Sequence, residues 1–155
     1  KNSILTKLQQ PRYYHNLVYM NFNILTNTAQ RVPPYELLKD KPWVTTFMGQ
    51  NGHKIDDFID SIYNHKFVIC PEGNGMDTHR TWETLYLGSI PIEKRNINNQ
   101  FYADLPILFV DDWGEVTCEF LESAFPMFEK QTWNRKKLTF EYWKNKILST
   151  KDDSL

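Results

Sequence analysis

Arg80 and Glu83 stand three residues apart in Asp77-Thr78-His79-Arg80-Thr81-Trp82-Glu83. On a helix that spacing puts both side chains on one face. A guanidinium offers paired N–H groups to phosphate oxygens, and a carboxylate accepts hydrogen bonds from sugar hydroxyls. Before them runs Pro71-Glu72-Gly73-Asn74-Gly75-Met76, a polar turn with two glycines. Gly73 and Gly75 are expected to take φ > 0 and to let a ligand come close to the backbone. Asp77 or Thr78 is expected to cap the helix, whose first N–H groups suit a phosphate. An arginine gains nothing from the positive end of a helix dipole, so Arg80 there calls for an anion. The plainer alternative is that Arg80 and Glu83 pair with each other on a solvated face.

Other chemistry-bearing residues are scattered. His15, His53, His65 and His79 share no metal-ligand spacing, so no metal is expected. His79 is the weak catalytic candidate, because beside Arg80 it can touch phosphate or sugar or take a proton from an acceptor. The competing reading is a half-exposed residue at a helix start. The segment Met48-Gly49-Gln50-Asn51-Gly52-His53-Lys54 follows another strand and is a possible second pocket wall through Gly49, Asn51 and His53. Asp111 and Asp112 end a strand and read best as the start of a turn. Gly73-x-Gly75 is a weak dinucleotide fingerprint, since Thr78 stands where a third glycine is required. No Walker lysine is present.

These residues need elements to hold them. Apolar runs at 17–25, 43–48, 67–71, 89–92 and 106–112 read as strands. Helices are expected at 33–40, 54–65, 77–87, 115–131 and 136–148, with Gly88 as a stop, Pro126 as a kink or break and 149–155 as a frayed tail. Residues 96–104 read as a loop or short helix. Strands alternating with helices imply a mostly parallel sheet covered on both faces, a Rossmann-like three-layer α/β/α domain spanning 1–155. Such sheets bind ligands at the carboxyl ends of their strands, where the glycine turn lies.

Bulk properties narrow the class. The 155 residues suit one domain with a core, and 41% hydrophobic with 24% charged residues is a globular balance. A formal net charge of −1 argues against a general nucleic-acid binder. The two cysteines, Cys70 and Cys118, make no disulfide framework, and Cys70 reads as a buried thiol. Neither a signal peptide nor a membrane-spanning run is read here. Because residue 1 is Lys rather than Met, a longer parent is expected and the compartment is left open.

Phe67 to Ile92, FVICPEGNGMDTHRTWETLYLGSIPI, resembles the signature of the exostosin-like glycosyltransferases. That signature is a strand ending in Pro, a glycine turn, Asp, then Arg, an aromatic, Glu, and Gly-x-(Ile/Val)-Pro. More broadly the chain resembles the donor-binding C-terminal half of GT-B glycosyltransferases. The resemblance implies that Arg80 binds the diphosphate of a nucleotide sugar and Glu83 its ribose. It places Gly73, Asn74 and Gly75 in the donor pocket, and Lys94 at its border with Glu93 and Arg95. A glycan hydroxyl would be the acceptor, with inversion at the anomeric carbon. No Asp-x-Asp occurs, which disfavours the metal-dependent GT-A type. A second GT-B domain or a homodimer partner would supply the acceptor side. The alternatives are a non-catalytic nucleotide- or glycan-binding module and, more remotely, a dinucleotide enzyme.

Overall fold

The computed structural model describes residues 8, 9, 12–47 and 54–152. Five strands form one sheet: β1 Asn16–Met20, β2 Val44–Thr46, β3 His65–Ile69, β4 Ile90–Lys94 and β5 Leu108–Val110. Their order is β2-β1-β3-β4-β5, and every neighbouring pair is parallel. The α-helices among the described residues are α1 Thr28–Leu38, α2 Ile55–Tyr63, α3 His79–Tyr86, α4 Cys118–Lys130 and α5 Phe140–Asp152.

Alternation along the strands explains the layers. Val18 and Met20 of β1, with Phe67 and Ile69 of β3, point to one face. There they pack with Leu38 of α1 and with Leu121 and Phe125 of α4. Tyr19 and Val68 point to the other face and pack with Ile59 and Ile62 of α2. Leu85 of α3 joins Leu105 and Ile107 on that second side. The domain is therefore a Rossmann-like α/β/α sandwich. Ile62 is fully buried, and such a side chain contributes about 1.5–3 kcal/mol.

The direction of winding reverses once. α1 carries the chain from β1 outward to β2, and α2 brings it back across β1 to β3. From β3 it continues the other way to β4 and β5. Right-handed crossovers then put α1 and α2 on opposite faces. Tyr19 pairs in register with Val68, so β1 and β3 end at the same level. The loops leaving them diverge, and a crevice opens between them.

Several boundaries differ from expectation. β1 ends at Met20, and residues 24–26 form a 3-10 turn capped by Asn23. α1 starts at Thr28, not at the prolines; Pro33 and Pro34 lie inside it and remove two helical N–H groups. The link from β4 to β5 holds only a 3-10 turn, Ile97–Phe101. A 3-10 turn, Arg135–Leu138, precedes α5, which runs on through Asp152 rather than fraying at 149. α4 continues through Pro126. Gly88 does stop α3, with a φ of +77°. Gly73 and Gly75 do not take the positive φ expected of them; Gly88 alone does so among the described residues. Asp112 opens a turn by accepting from the Gly114 amide at 2.8 Å, and Asp111 pairs with Arg95 at 2.9 Å.

Candidate functional site

The crevice between the ends of β1 and β3 is a pocket of about 460 Å³. One wall is the loop after β1 with the first turns of α1, including Phe22, Asn23 and Arg31. The opposite wall is the glycine turn and the start of α3. Gly73, Asn74, Gly75, Asp77 and Thr78 line that wall, followed by His79, Arg80 and Glu83. Every residue expected from the stretch 73–83 to meet a ligand therefore shares one cavity. Lys94 does not line it: β4 lies beyond β3, and Lys94 is exposed at its end. Gly49, Asn51 and His53 lie outside the described residues.

Arg80 is the second residue of α3. Its guanidinium lies 4.3 Å from the centre of the Phe58 ring on α2. That contact holds it by cation–π attraction and apolar packing. Nε is 3.6 Å from a Glu83 carboxylate oxygen, close enough for ion pairing and too long for a hydrogen bond. Nε and Nη1 are both buried and have no acceptor among the described residues. A buried charged donor left unpaired costs about 1–3 kcal/mol or more. The pairing of Arg80 with Glu83 is thus incomplete, and the guanidinium retains capacity for an anion.

α3 begins without help from its cap. Thr78 has the extended backbone of an N-cap, yet its side chain makes no capping bond. Its hydroxyl lies 3.3 Å from that of Thr81 instead. Asp77 is also diverted: it accepts from the Trp82 indole N–H at 2.7 Å. Trp82 in turn meets Tyr102 edge-on at 5.5 Å. The first turn of α3 therefore keeps its positive end open toward the pocket. His79 stands exposed at this rim.

Arg31 was not singled out by spacing, and it is the second cation of the site. Its Nε donates to the carbonyl of Glu72 at 2.9 Å and its Nη1 to that of Asn23 at 2.7 Å. Burial chiefly, and then the positive charge of Arg80, push the Arg31 pKa down. Gly73 has its glycine for this neighbour: a Cβ there would lie 2.9 Å from Arg31 Nη2. At Gly75 a Cβ would meet only ordinary contact, so that position leaves open space beside the pocket. Asn27 ties the two walls, its amide donating to the Gly73 carbonyl at 2.7 Å. A signal for this wall existed in Asn27-Thr28, an N-cap pair, but the two prolines drew the helix start five residues too late.

Behind α3 lies a buried carboxyl. Glu93 of β4 accepts a hydrogen bond from the Thr81 hydroxyl. Burial, opposed by that bond and aided by the charges of Asp77 and Glu72, raises its pKa to about 7. Glu72 accepts from the Asn96 amide at 2.9 Å, fixing the turn from the far side. Cys70, beneath the turn, is fully packed, and burial pushes its thiol far up, so it is no nucleophile. His65 is buried at the opposite end of β3, bonded through Nδ1 to the Ser61 carbonyl at 2.5 Å. Among the described residues, no group of three or more His, Cys, Asp or Glu side chains is placed to hold a metal ion. No described helix is long and apolar enough to cross a membrane.

The arrangement can therefore hold an anionic ligand between two arginines and a helix start, with a carboxylate beside it for hydroxyl groups. Neither a known protein-family model nor a curated protein matches the sequence.

Proposed function

We propose that this chain is the donor-binding domain of a glycosyltransferase that uses a nucleotide-diphosphate sugar. The observation that carries the reading is Arg80, whose buried Nε and Nη1 lack acceptors among the described residues, at the switch point of a parallel sheet. The resemblance of residues 67–92 to the exostosin-like signature supports the same residues in the same roles. Arg80 and the start of α3 hold the diphosphate, and Glu83, about half exposed at the mouth, accepts from the ribose hydroxyls.

The resemblance implies the reaction. A glycan hydroxyl attacks the anomeric carbon and forms the new C–O bond. The bond from that carbon to the diphosphate oxygen breaks, and the diphosphate leaves with the electron pair. The hydroxyl proton passes to a base, for which His79 at the rim is the candidate on this chain. Arg80 and the open helix start meet the charge that develops on the leaving group. A second domain, or a second copy of the chain, presents the acceptor.

Calorimetry with UDP, GDP and CMP tests the reading. One of them is expected to bind, and Arg80→Ala to weaken it by about 1.5–3 kcal/mol, the scale of hydrogen bonds to a charged group. No binding at millimolar concentration, or equal binding by Arg80→Ala, would refute it. Slow hydrolysis of a nucleotide sugar separates an enzyme from a module that only binds.

A further inference from the structure

We propose that Arg31 and Arg80 act as a pair across the crevice and select ligands with two linked phosphoryl groups over those with one. The inference rests on the donor-site reading and names the residue that sets its charge preference. Arg31 enters from the β1 side and Arg80 from the β3 side, and both line the same pocket.

Arg31 is held in place before any ligand arrives. Two backbone carbonyls, of Glu72 and Asn23, occupy its Nε and Nη1. Its Nη2 donates to no acceptor among the described residues and lies over Gly73, where the missing side chain leaves it room. No carboxylate lies within ion-pair distance of Arg31 among the described residues, whereas Arg80 has Glu83 at 3.6 Å. Arg80 in turn offers Nε and Nη1. Burial first, and then the positive charge of Arg80, depress the Arg31 pKa, and an anion placed between the two guanidiniums relieves their repulsion. A single phosphoryl group satisfies one of these preorganised cations; a diphosphate satisfies both. The glycine turn supplies the floor on which such a bridge rests.

The test uses base-free probes, inorganic pyrophosphate and orthophosphate, titrated calorimetrically into the full chain at constant ionic strength, beside UDP and UMP. Wild type is expected to bind pyrophosphate at least about 10-fold tighter than orthophosphate, and UDP tighter than UMP, a tenfold ratio being about 1.4 kcal/mol. Arg31→Ala should lose about 10-fold on pyrophosphate and under about twofold on orthophosphate. Arg31→Lys, which keeps the charge without the fork, carries the test if the alanine variant does not fold. It should lose about threefold on pyrophosphate alone. Equal losses on both probes would reduce Arg31 to a structural tie and overturn the inference. So would equal wild-type affinity for the two probes while nucleotides still bind, a result that leaves the donor-site reading standing. Failure of wild type to bind any of the four ligands, or GDP or CMP, would overturn both.

Discussion

The guanidinium of Arg31 donates to the carbonyl of Glu72, 2.9 Å away and 41 residues on in the chain. Beside it the Asn27 amide donates to the Gly73 carbonyl at 2.7 Å. These two bonds join the loops that part at the end of the sheet. A crevice made by diverging loops would otherwise be loose. Here one wall of the pocket is fastened to the other by side chains of α1 and its cap.

Asn27 has two separable duties, and substitution tells them apart. Its carbonyl oxygen accepts from the Gln30 amide at 3.3 Å, while its NH₂ binds Gly73. Asn27→Ala loses both and should destabilise the domain by about 1–2 kcal/mol in urea unfolding. Asn27→Asp keeps the cap and loses the tie. It should recover most of the stability but bind pyrophosphate more weakly, because the turn is then free to shift. Full recovery of binding would show that the tie does not matter.

Gly88 should be intolerant of any side chain. Its φ of +77° disfavours L-residues, and a Cβ there would fall 2.6 Å from Arg12 Nη1. Arg12 donates to the Leu87 carbonyl at 2.8 Å and to the Ser89 hydroxyl at 2.5 Å. Gly88→Ala is therefore expected to cost more than about 1 kcal/mol in thermal or urea unfolding. A neutral result would mean that Arg12 swings aside freely and that the backbone relaxes.

Glu93 makes the stability depend on pH. Its folded pKa of about 7 lies above the usual 4.5. The raised value means that the protonated form fits the fold and the ionised form is penalised. The stability is fully present below about 4.5 and is lost as pH rises toward 7 and beyond. Glu93→Gln keeps an acceptor for Thr81 and removes the titration. Relative to wild type it should gain about 3 kcal/mol between those limits, from about 1.4 kcal/mol per unit. A pH-independent difference between the two proteins would contradict the buried carboxyl.

The two cysteines should differ in reactivity. Cys70 is buried, with its thiol pushed far up by burial; Cys118 is partly exposed at the start of α4. A chromogenic disulfide reagent should titrate Cys118 slowly in the native protein and reach Cys70 only after denaturation. Rapid reaction of both thiols under native conditions would mean that the glycine turn above Cys70 opens.

Much of this was readable from residue types, and the failures are instructive. The run Phe67–Cys70 declared a strand buried on both faces, because a parallel sheet needs apolar side chains on each. Ile55, Phe58, Ile59 and Ile62 marked α2 by their helical spacing; Ile59 and Ile62 are buried, Phe58 partly so, and Ile55 is exposed. The turn, Arg80 and Glu83 were visible because glycines, a guanidinium and a carboxylate follow a strand end. Arg31 was not visible, since its role depends on a loop 41 residues away folding against it. Pro33 and Pro34 suggested a helix start, whereas the cap at Asn27 set it; local cap bonds outweighed the lost N–H groups. Glu93 was expected in the loop after the fourth strand, at the border of the donor pocket, whereas it lies inside β4 and does not line that pocket. Only the packing of α3 against β4 shows that its carboxyl is buried against Thr81. Gly73 does not take the left-handed backbone expected of it, and a Cβ there would meet the Arg31 guanidinium.

The central claim is that a nucleoside diphosphate sits between Arg31 and Arg80. Two-dimensional NMR of the ¹⁵N-labelled chain, titrated with UDP and GDP, addresses it most directly. The account predicts saturable shifts concentrated at residues 71–83 and 23–31, with the Arg80 Nε resonance among the most displaced. Shifts gathered instead on the Ile55–Ile59 and Tyr86 surface, or none at millimolar nucleotide, would contradict it.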